Sequence, residues 1–431
     1  MTQPRAMQWE WRDVLWIVLF VALLIAAGYG LRDPWPADEP RFASLARDMV
    51  HSGNWLIPRV GGDLYQDKPP VFFWLLAASY WLFGSVRASF LLPSLLASLG
   101  VLLLVYDLGR RLHGREAGLL AALTLGCSLQ FVITMRGAQI DGTLLLLSTL
   151  SLYGLCRHLL LGPHWRWYFV GGVAAGVGVI TKGVGFLPLL AILVYAAMRG
   201  RGWAGLAIPG DEARSRLRWA LAPLGLLIGM SLWGLPMLTA VATSADPALV
   251  AYRDELLVQQ TVTRYTAAWH HVRPWYYFLV DVIPTLWVPL SLLSFWLVPR
   301  WVTDCRARRA EVGLFLGWAA LVVLFFSLSP GKRGIYILPA LPALALAAAA
   351  HLPEVLRLRR VGIASLVLAG LFAIAGLALS IAYLLGQPAA LQLVDDARVP
   401  TAAPLLAFTA LALIGWWQAS RRLAVAMPLS Q

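Results

Sequence analysis

Apolar stretches recur along almost the whole chain, near 14–31, 88–108, 117–135, 142–161, 168–181, 185–199, 219–241, 276–299, 312–328, 335–350, 362–385 and 403–419, and short Arg-rich segments separate them. Runs of about 15 to 25 apolar residues have the length of helices that cross a hydrocarbon layer of roughly 30 Å. The strands of a membrane barrel would alternate with period two, and these runs do not. The pattern predicts an all-α, polytopic transmembrane helical bundle of about 12 spans. One further run, Val71–Phe83, is apolar and aromatic but too short for a straight crossing.

Charge assigns that run and, with it, the sides. If Val71–Phe83 lies along the outer surface, the Arg-rich loops fall together on the cytoplasmic side: Arg110/Arg111/Arg115, Arg199 to Arg218, Arg300/Arg306/Arg308/Arg309, Arg357/Arg359/Arg360, and the tail with Arg421/Arg422. Basic loops face the cytoplasm in inner-membrane proteins. Both termini are then expected to be cytoplasmic. The outer face carries the first loop 32–87, with a juxtamembrane helical segment after span one, and a second long loop, 242–275. It also carries the short turns at 136–141, 181–183 and 329–334, and the loop 386–402. Trp35, Trp55, Trp74, Trp81, Trp269 and Trp275 fall in or beside the long loops, as interfacial anchors do. No repeat or soluble segment interrupts the pattern, so residues 1–431 read as a single integral membrane domain, with no outer C-terminal domain expected. The N-terminal run reads as an uncleaved first span.

Composition agrees. Only 13% of residues are charged and 59% are apolar, with mean hydropathy +0.70, against about 25% charged in soluble domains. A net charge of +13 would suggest nucleic acid in a soluble protein; here its placement marks topology, and no nucleic-acid partner is expected. Cys127, Cys156 and Cys305 form no plausible disulfide framework.

The chemistry gathers at the outer face. Asp38 and Glu39 stand between Pro36 and Pro40 just beyond span one, followed by Arg41, and Asp141 sits in the turn after Arg136. Acids near a helix start also serve as caps, but adjacent carboxylates at a membrane face are costly unless employed. They read as a general base or a metal-binding pair. The lysines number three, Lys68, Lys182 and Lys332, all outer, whereas the cytoplasmic loops use Arg. Singly each could be a snorkelling side chain; together, with Arg333, they read as a phosphate-binding set. His51, His270 and His271 lack metal-ligand spacing with a carboxylate. The glycines of 171–178 lie within an apolar run and read as a helix-packing surface, not a nucleotide loop. No Ser/His/Asp set is evident.

The string Ala37-Asp38-Glu39-Pro40-Arg41-Phe42-Ala43, then Ser52-Gly53-Asn54-Trp55-Leu56-Ile57-Pro58, Tyr65-Gln66-Asp67-Lys68-Pro69-Pro70, Ala138-Gln139-Ile140-Asp141, Ile180-Thr181-Lys182-Gly183 and Ser327 to Pro339 resembles the lipid A aminoarabinose transferases. Those enzymes stand with the protein O-mannosyltransferases among the GT-C membrane glycosyltransferases, which use polyprenyl-phosphate sugars. The resemblance implies Asp38 as catalytic carboxylate, with Glu39 beside it and Asp141 in support. It also implies Lys68, Lys182, Lys332, Arg333 and Tyr336 on the donor phosphate, and Asp67, Tyr65, Arg41 and Arg264 as substrate-binding residues. The chain departs from the family where relatives carry Glu for Asp67, Glu-His for Gln259-Gln260, and Lys-Gly-Lys for Pro330-Gly331-Lys332. No cofactor is required by this reading, and a divalent metal is left open.

The expectation is an inverting glycosyltransferase of the bacterial inner membrane. It would move a sugar from an undecaprenyl-phosphate donor to a lipid, glycolipid, polysaccharide or protein acceptor at the periplasmic face, with membrane lipid as its surroundings. The rival reading is a transporter or lipid flippase, whose binding residues would sit near the midplane on broken helices of inverted repeats.

Overall fold

The computed structural model describes residues 10–207, 217–244, 246–256, 271–396 and 403–425. It is built almost wholly of helices, as the apolar runs require of chain segments that must satisfy their backbone within lipid. The chain's contacts gather into two compact units, Met1–His351 and Leu352–Gln431. Among the described residues four helices are both long and apolar enough to cross a membrane: Val86–His113 (counting its first short turn), Leu221–Thr243, Ala310–Leu328 and Arg359–Leu384.

Several runs that read as one span are interrupted. The first helix, α1 (Trp11–Leu24), gives way to turns from Ile25 onward. The run 117–135 is two helices, Arg115–Gly126 and Leu129–Met135, bent by 66°, and the run 276–299 breaks by 111° between Phe278–Leu286 and Leu290–Arg306. The second break falls at Val288-Pro289, where a proline cannot donate to a continuing helix.

The loop that follows α1 is ordered by its own core. Helix α2 (Asp38–Ser52) begins with two acids and Pro40, residues suited to a first turn whose amide groups lack partners. Gly53, in the left-handed region at φ 71°, ends it, a conformation that glycine adopts without steric penalty. A two-residue hairpin follows, β1 (Arg59–Val60) against β2 (Asp63–Leu64), paired Arg59 with Leu64 and Val60 with Asp63. Helix α3 (Val71–Phe83) is the short run that the charge pattern laid on the surface. It packs on α2 through Phe42, Leu45, Met49, Tyr65, Phe72, Phe73 and Leu76, all buried, with the Phe42 and Phe73 rings 5.4 Å apart.

Three helices then frame the site: α5 (Leu92–His113), α8 (Ile140–Leu159) and α9 (Trp165–Lys182), with α4, α6 and α7 taken as Val86–Ser89, Arg115–Gly126 and Leu129–Met135. Helix α9 packs along Leu221–Thr243 with almost no side chain between them. A methyl group built on Gly229 would overlap the backbone of Val173, and one built on Gly172 would overlap Ala222. The small-residue surface read from 171–178 is therefore a close helix–helix approach, the arrangement small residues permit in membranes. Gly229→Val is expected to cost about 1–3 kcal/mol or more by overpacking, lowering the thermal midpoint in detergent. Gly234→Ala on the same helix, where a new methyl meets open space, is expected to leave that midpoint unchanged. Equal midpoints for the two variants would count against the close approach.

In the second unit, helices Arg359–Leu384 and Ala403–Val425 pack together, with a buried hydrogen bond between the hydroxyls of Ser380 and Thr409, 2.9 Å apart.

Candidate active site

The acids and cations singled out in the sequence converge. A polar cleft of about 180 Å³ is lined by Asp38, Arg41, Tyr65, Asp67, Lys68, Asp141, Lys182, Arg333 and Tyr336, together with Phe42, Gln139, Ile140 and Ile335. Five separate segments contribute: the start of α2, the loop before α3, the start of α8, the end of α9, and the short turn at Gly334–Ile337.

Asp38 lies in the first turn of α2, where unpaired amides and the helix dipole favour a carboxylate. Arg41 Nη2 donates to Asp38 Oδ1 at 2.6 Å and Nη1 reaches Asp67 Oδ2 at 3.5 Å, so one guanidinium bridges two carboxylates. Both remain about half exposed, at 47% and 48%. Across the cleft, Lys182 Nζ donates to Asp141 Oδ1 at 2.5 Å and stands 5.1 Å from the centre of the Tyr336 ring. Lys68 Nζ donates to the carbonyl of Asp67 at 2.7 Å. Arg333 is exposed at the rim, and its side chain makes no hydrogen bond or ion pair among the described residues. The buried Tyr65 hydroxyl likewise has no hydrogen-bond partner among them. Burial, with Asp67 close by, holds its ionisation well above the usual phenol range.

Two expected site residues face elsewhere. Glu39 does not line the cleft: its carboxylate accepts from Arg32 Nη1 at 2.6 Å and Nη2 at 2.9 Å, from the Trp35 amide at 2.7 Å and from the Ala138 amide at 2.8 Å. Burial would raise its pKa, but these donors outweigh that and hold it below the ordinary carboxylate value. Arg32 also donates to the Arg136 carbonyl at 3.0 Å and is sandwiched by Trp35 and Phe90, with ring centres 4.9 and 5.0 Å away. Lys332 is buried under the turn. It donates to the Arg273 carbonyl at 3.0 Å and to the Ser329 carbonyl, and burial lowers its pKa. It staples the 329–334 turn to the segment at 271–273, which pairs with it through Val272 and Gly331. Arg264, Gln259, Gln260, Trp269 and His270 lie outside the described residues.

Other contributors had only faint signals. Arg32, the first cation past span one, and Gln130, a polar residue inside an apolar run, each tie two walls together. Gln130 donates to the Gly334 carbonyl at 2.7 Å and accepts from the Trp287 indole at 2.5 Å, fixing the turn that carries Arg333 and Tyr336. Among the described residues no group of three His, Cys, Asp or Glu side chains could hold a metal ion.

Beside the polar cleft lies a larger, apolar cavity of about 440 Å³, walled by Val179, Ile180, Leu227, Met230, Trp233 and Leu235 and their neighbours. Asp67, Lys68, Lys182 and Tyr336 line both spaces. The charged groups therefore stand at a junction between a polar chamber and a greasy one.

Comparison with known proteins bears on this arrangement. Residues 67–209 match the family model described as dolichyl-phosphate-mannose-protein mannosyltransferase. The chain is 31% identical over 341 residues, 77% of its length and 58% of the relative's, to an undecaprenyl phosphate-α-4-amino-4-deoxy-L-arabinose arabinosyl transferase of Sodalis glossinidius. It is 28% identical to the transferase of that name from Yersinia enterocolitica, over 78% of this chain and 58% of the relative. It thus spans less than two thirds of the length of these relatives. The crystal structure of ArnT from Cupriavidus metallidurans bound to undecaprenyl phosphate superposes with TM-score 0.67 at 24% identity, covering 94% of this chain and 76% of that one. The fold is shared with that ArnT structure. In sequence and in fold the chain is similar to the aminoarabinose transferases.

Proposed function

We propose that this protein is an inverting glycosyltransferase that moves a sugar from an undecaprenyl-phosphate donor to a lipid or glycolipid acceptor of the cell envelope. The observation that carries the reading is the junction. A phosphate at Lys68, Lys182 and Tyr336 would have its lipid tail in the 440 Å³ apolar cavity and its sugar in the 180 Å³ polar cleft. These groups gather at one end of α8 and α9, not midway along them, which argues against a transporter.

In this mechanism Asp38 takes the proton of the acceptor hydroxyl as its oxygen attacks the anomeric carbon. The bond from that carbon to the phosphate oxygen breaks, and the electron pair leaves with the phosphate. Lys68, Lys182 and Arg333 stabilise the charge gathering there. Asp141 orients Lys182 through their ion pair. A single displacement inverts the anomeric centre. Glu39 acts by position, holding the start of α2 against the turn before α8, and Lys332 by holding its own turn. A divalent ion serving the donor phosphate would have Asp38 and Asp67 as its carboxylates, which Arg41 bridges here; activity with and without chelator decides its part. We further propose twelve spans with both termini cytoplasmic and the cleft periplasmic, an orientation supported by the Arg-rich loops.

The test is release of undecaprenyl phosphate from a panel of undecaprenyl-phosphate sugars by the purified protein in lipid. Failure of every donor with folded protein sinks the proposal. The apolar cavity gives a sharper reading. Gly234 lines it and a Cβ there meets open space, so Gly234→Phe is expected to fill it. The KM for a long-chain donor should rise about tenfold, the loss of roughly two buried methylene contacts, while a short-chain donor is unaffected. Equal effects on both donors would place the lipid elsewhere.

A further inference from the structure

Helices α5, α8 and α9 each have one end at the cleft. Ser94, early in α5, donates to the Gly137 carbonyl at 2.7 Å; Asp141 opens α8 and Lys182 closes α9. Their other ends bring together Arg110 and Arg111 of α5, Arg157 of α8 and His164, the residue that precedes α9. At 1.5 Å per residue α8 is about 30 Å long, close to the thickness of a bilayer's hydrocarbon core.

At this far end guanidinium groups outnumber carboxylates. Asp107 Oδ1 accepts from Arg110 Nε and Nη2 at 3.0 and 2.6 Å. Its Oδ2 accepts from Arg111 Nε and from the Tyr153 hydroxyl, both at 2.6 Å. Arg157 Nη1 donates to the same Tyr153 hydroxyl at 2.9 Å, so Arg111 and Arg157 flank one Asp107–Tyr153 pair. The Arg157 guanidinium lies over the rings of Tyr153 and Trp167, 5.7 and 5.4 Å from their centres. It has no ion pair among the described residues, and its Nε is buried without a hydrogen-bond partner. The neighbouring Asp13 is taken up by Arg115 and Tyr106. Partial burial and the guanidiniums of Arg157 and Arg111 hold His164 below the ordinary imidazole range.

Arg110 and Arg111 share the carboxylate of Asp107, and Arg157 is tied to the same group through the Tyr153 hydroxyl. These cations repel one another, and an anion between Arg111 and Arg157 would relieve that repulsion. A planar guanidinium fork matches the oxygens of a phosphate, and the Tyr153 and Trp167 rings stand beside the Arg157 fork. We propose that the notch formed by Arg111, Arg157 and His164 binds the phosphate of an anionic phospholipid headgroup, on the side of the membrane opposite the cleft. The site is separate from the donor junction and does not depend on the chemistry proposed there.

The test is thermal unfolding of the purified full chain in a neutral detergent with added phosphatidylglycerol, phosphatidylcholine or inorganic phosphate. Phosphatidylglycerol is expected to raise the midpoint saturably. Arg157→Gln and His164→Gln, each compared with its own lipid-free midpoint, should need about tenfold more of it, the loss of one charge-assisted hydrogen bond. Arg166→Gln, an exposed neighbour, should behave as wild type. Stabilisation by inorganic phosphate as strong as by the lipid would overturn the headgroup assignment in favour of a soluble anion. An unchanged lipid response in both Arg157→Gln and His164→Gln, or an equal response to phosphatidylcholine, would overturn the site.

Discussion

Asp38→Asn is expected to lower sugar transfer about 10²- to 10⁴-fold, the usual worth of a positioned general base, with little change in folding. The substitution is nearly isosteric, and the side chain is half exposed, with Arg41 as its ion-pair partner. Arg41 keeps a carboxylate partner in Asp67, at 3.5 Å. The measurement pairs turnover of an undecaprenyl-phosphate sugar with the thermal midpoint of the same preparation. A loss confined to kcat, at an unchanged midpoint, is the expected outcome. Transfer within about threefold of wild type, far short of the loss of a general base, would remove Asp38 from the chemistry and leave it as a cap for α2.

Glu39→Gln, one residue along, is expected to behave quite differently, lowering stability and turnover together. Its carboxylate and Arg32 are only 11% and 23% exposed, and removing one partner of a buried pair costs about 3–5 kcal/mol because the other charge is stranded. Arg32 keeps some access to water and its bond to the Arg136 carbonyl, which reduces the loss to about 2–3 kcal/mol. Slackening the tie between α2 and the turn before α8 displaces Asp38 relative to Asp141, and displacements near about 1 Å cost about 100-fold in rate. The pH dependence has a definite sign. Because Glu39 has a lower pKa folded than unfolded, its contribution is complete above the ordinary carboxylate value and is lost as pH falls through the folded one. Glu39→Gln should therefore flatten the acid side of the stability profile. A variant with wild-type stability and a loss in kcat alone would instead return Glu39 to the reacting groups.

The contrast between these neighbours shows where sequence reading stopped. Asp38, Lys68, Asp141, Lys182 and Arg333 were legible as one set because hydropathy and charge place them all at one expected face, and one cleft receives them all. What hydropathy cannot tell is direction. Successive residues on a helix point about 100° apart, so Asp38 opens into the cleft while Glu39 turns to Arg32 and Ala138. The pair Lys332 and Arg333 divides the same way, one beneath the turn and one at the rim. The breaks near Cys127 and Pro289 were hidden for a related reason, since a bent pair of short apolar helices and one straight helix have the same composition. Gln130 and Arg32 left only the trace of a polar residue where none was needed.

The apolar cavity has a further consequence. Leu227, Leu235 and Leu238, on its wall, are themselves 61%, 61% and 43% exposed, on a helix apolar enough to face lipid. A carrier lipid reaching Lys68 and Lys182 along that wall would arrive by two-dimensional diffusion within the leaflet. Saturation would then follow the mole fraction of donor among the surrounding amphiphiles, not its bulk molarity. Adding inert detergent at constant total donor would slow the reaction by surface dilution, and the spent carrier would leave by the route its successor takes.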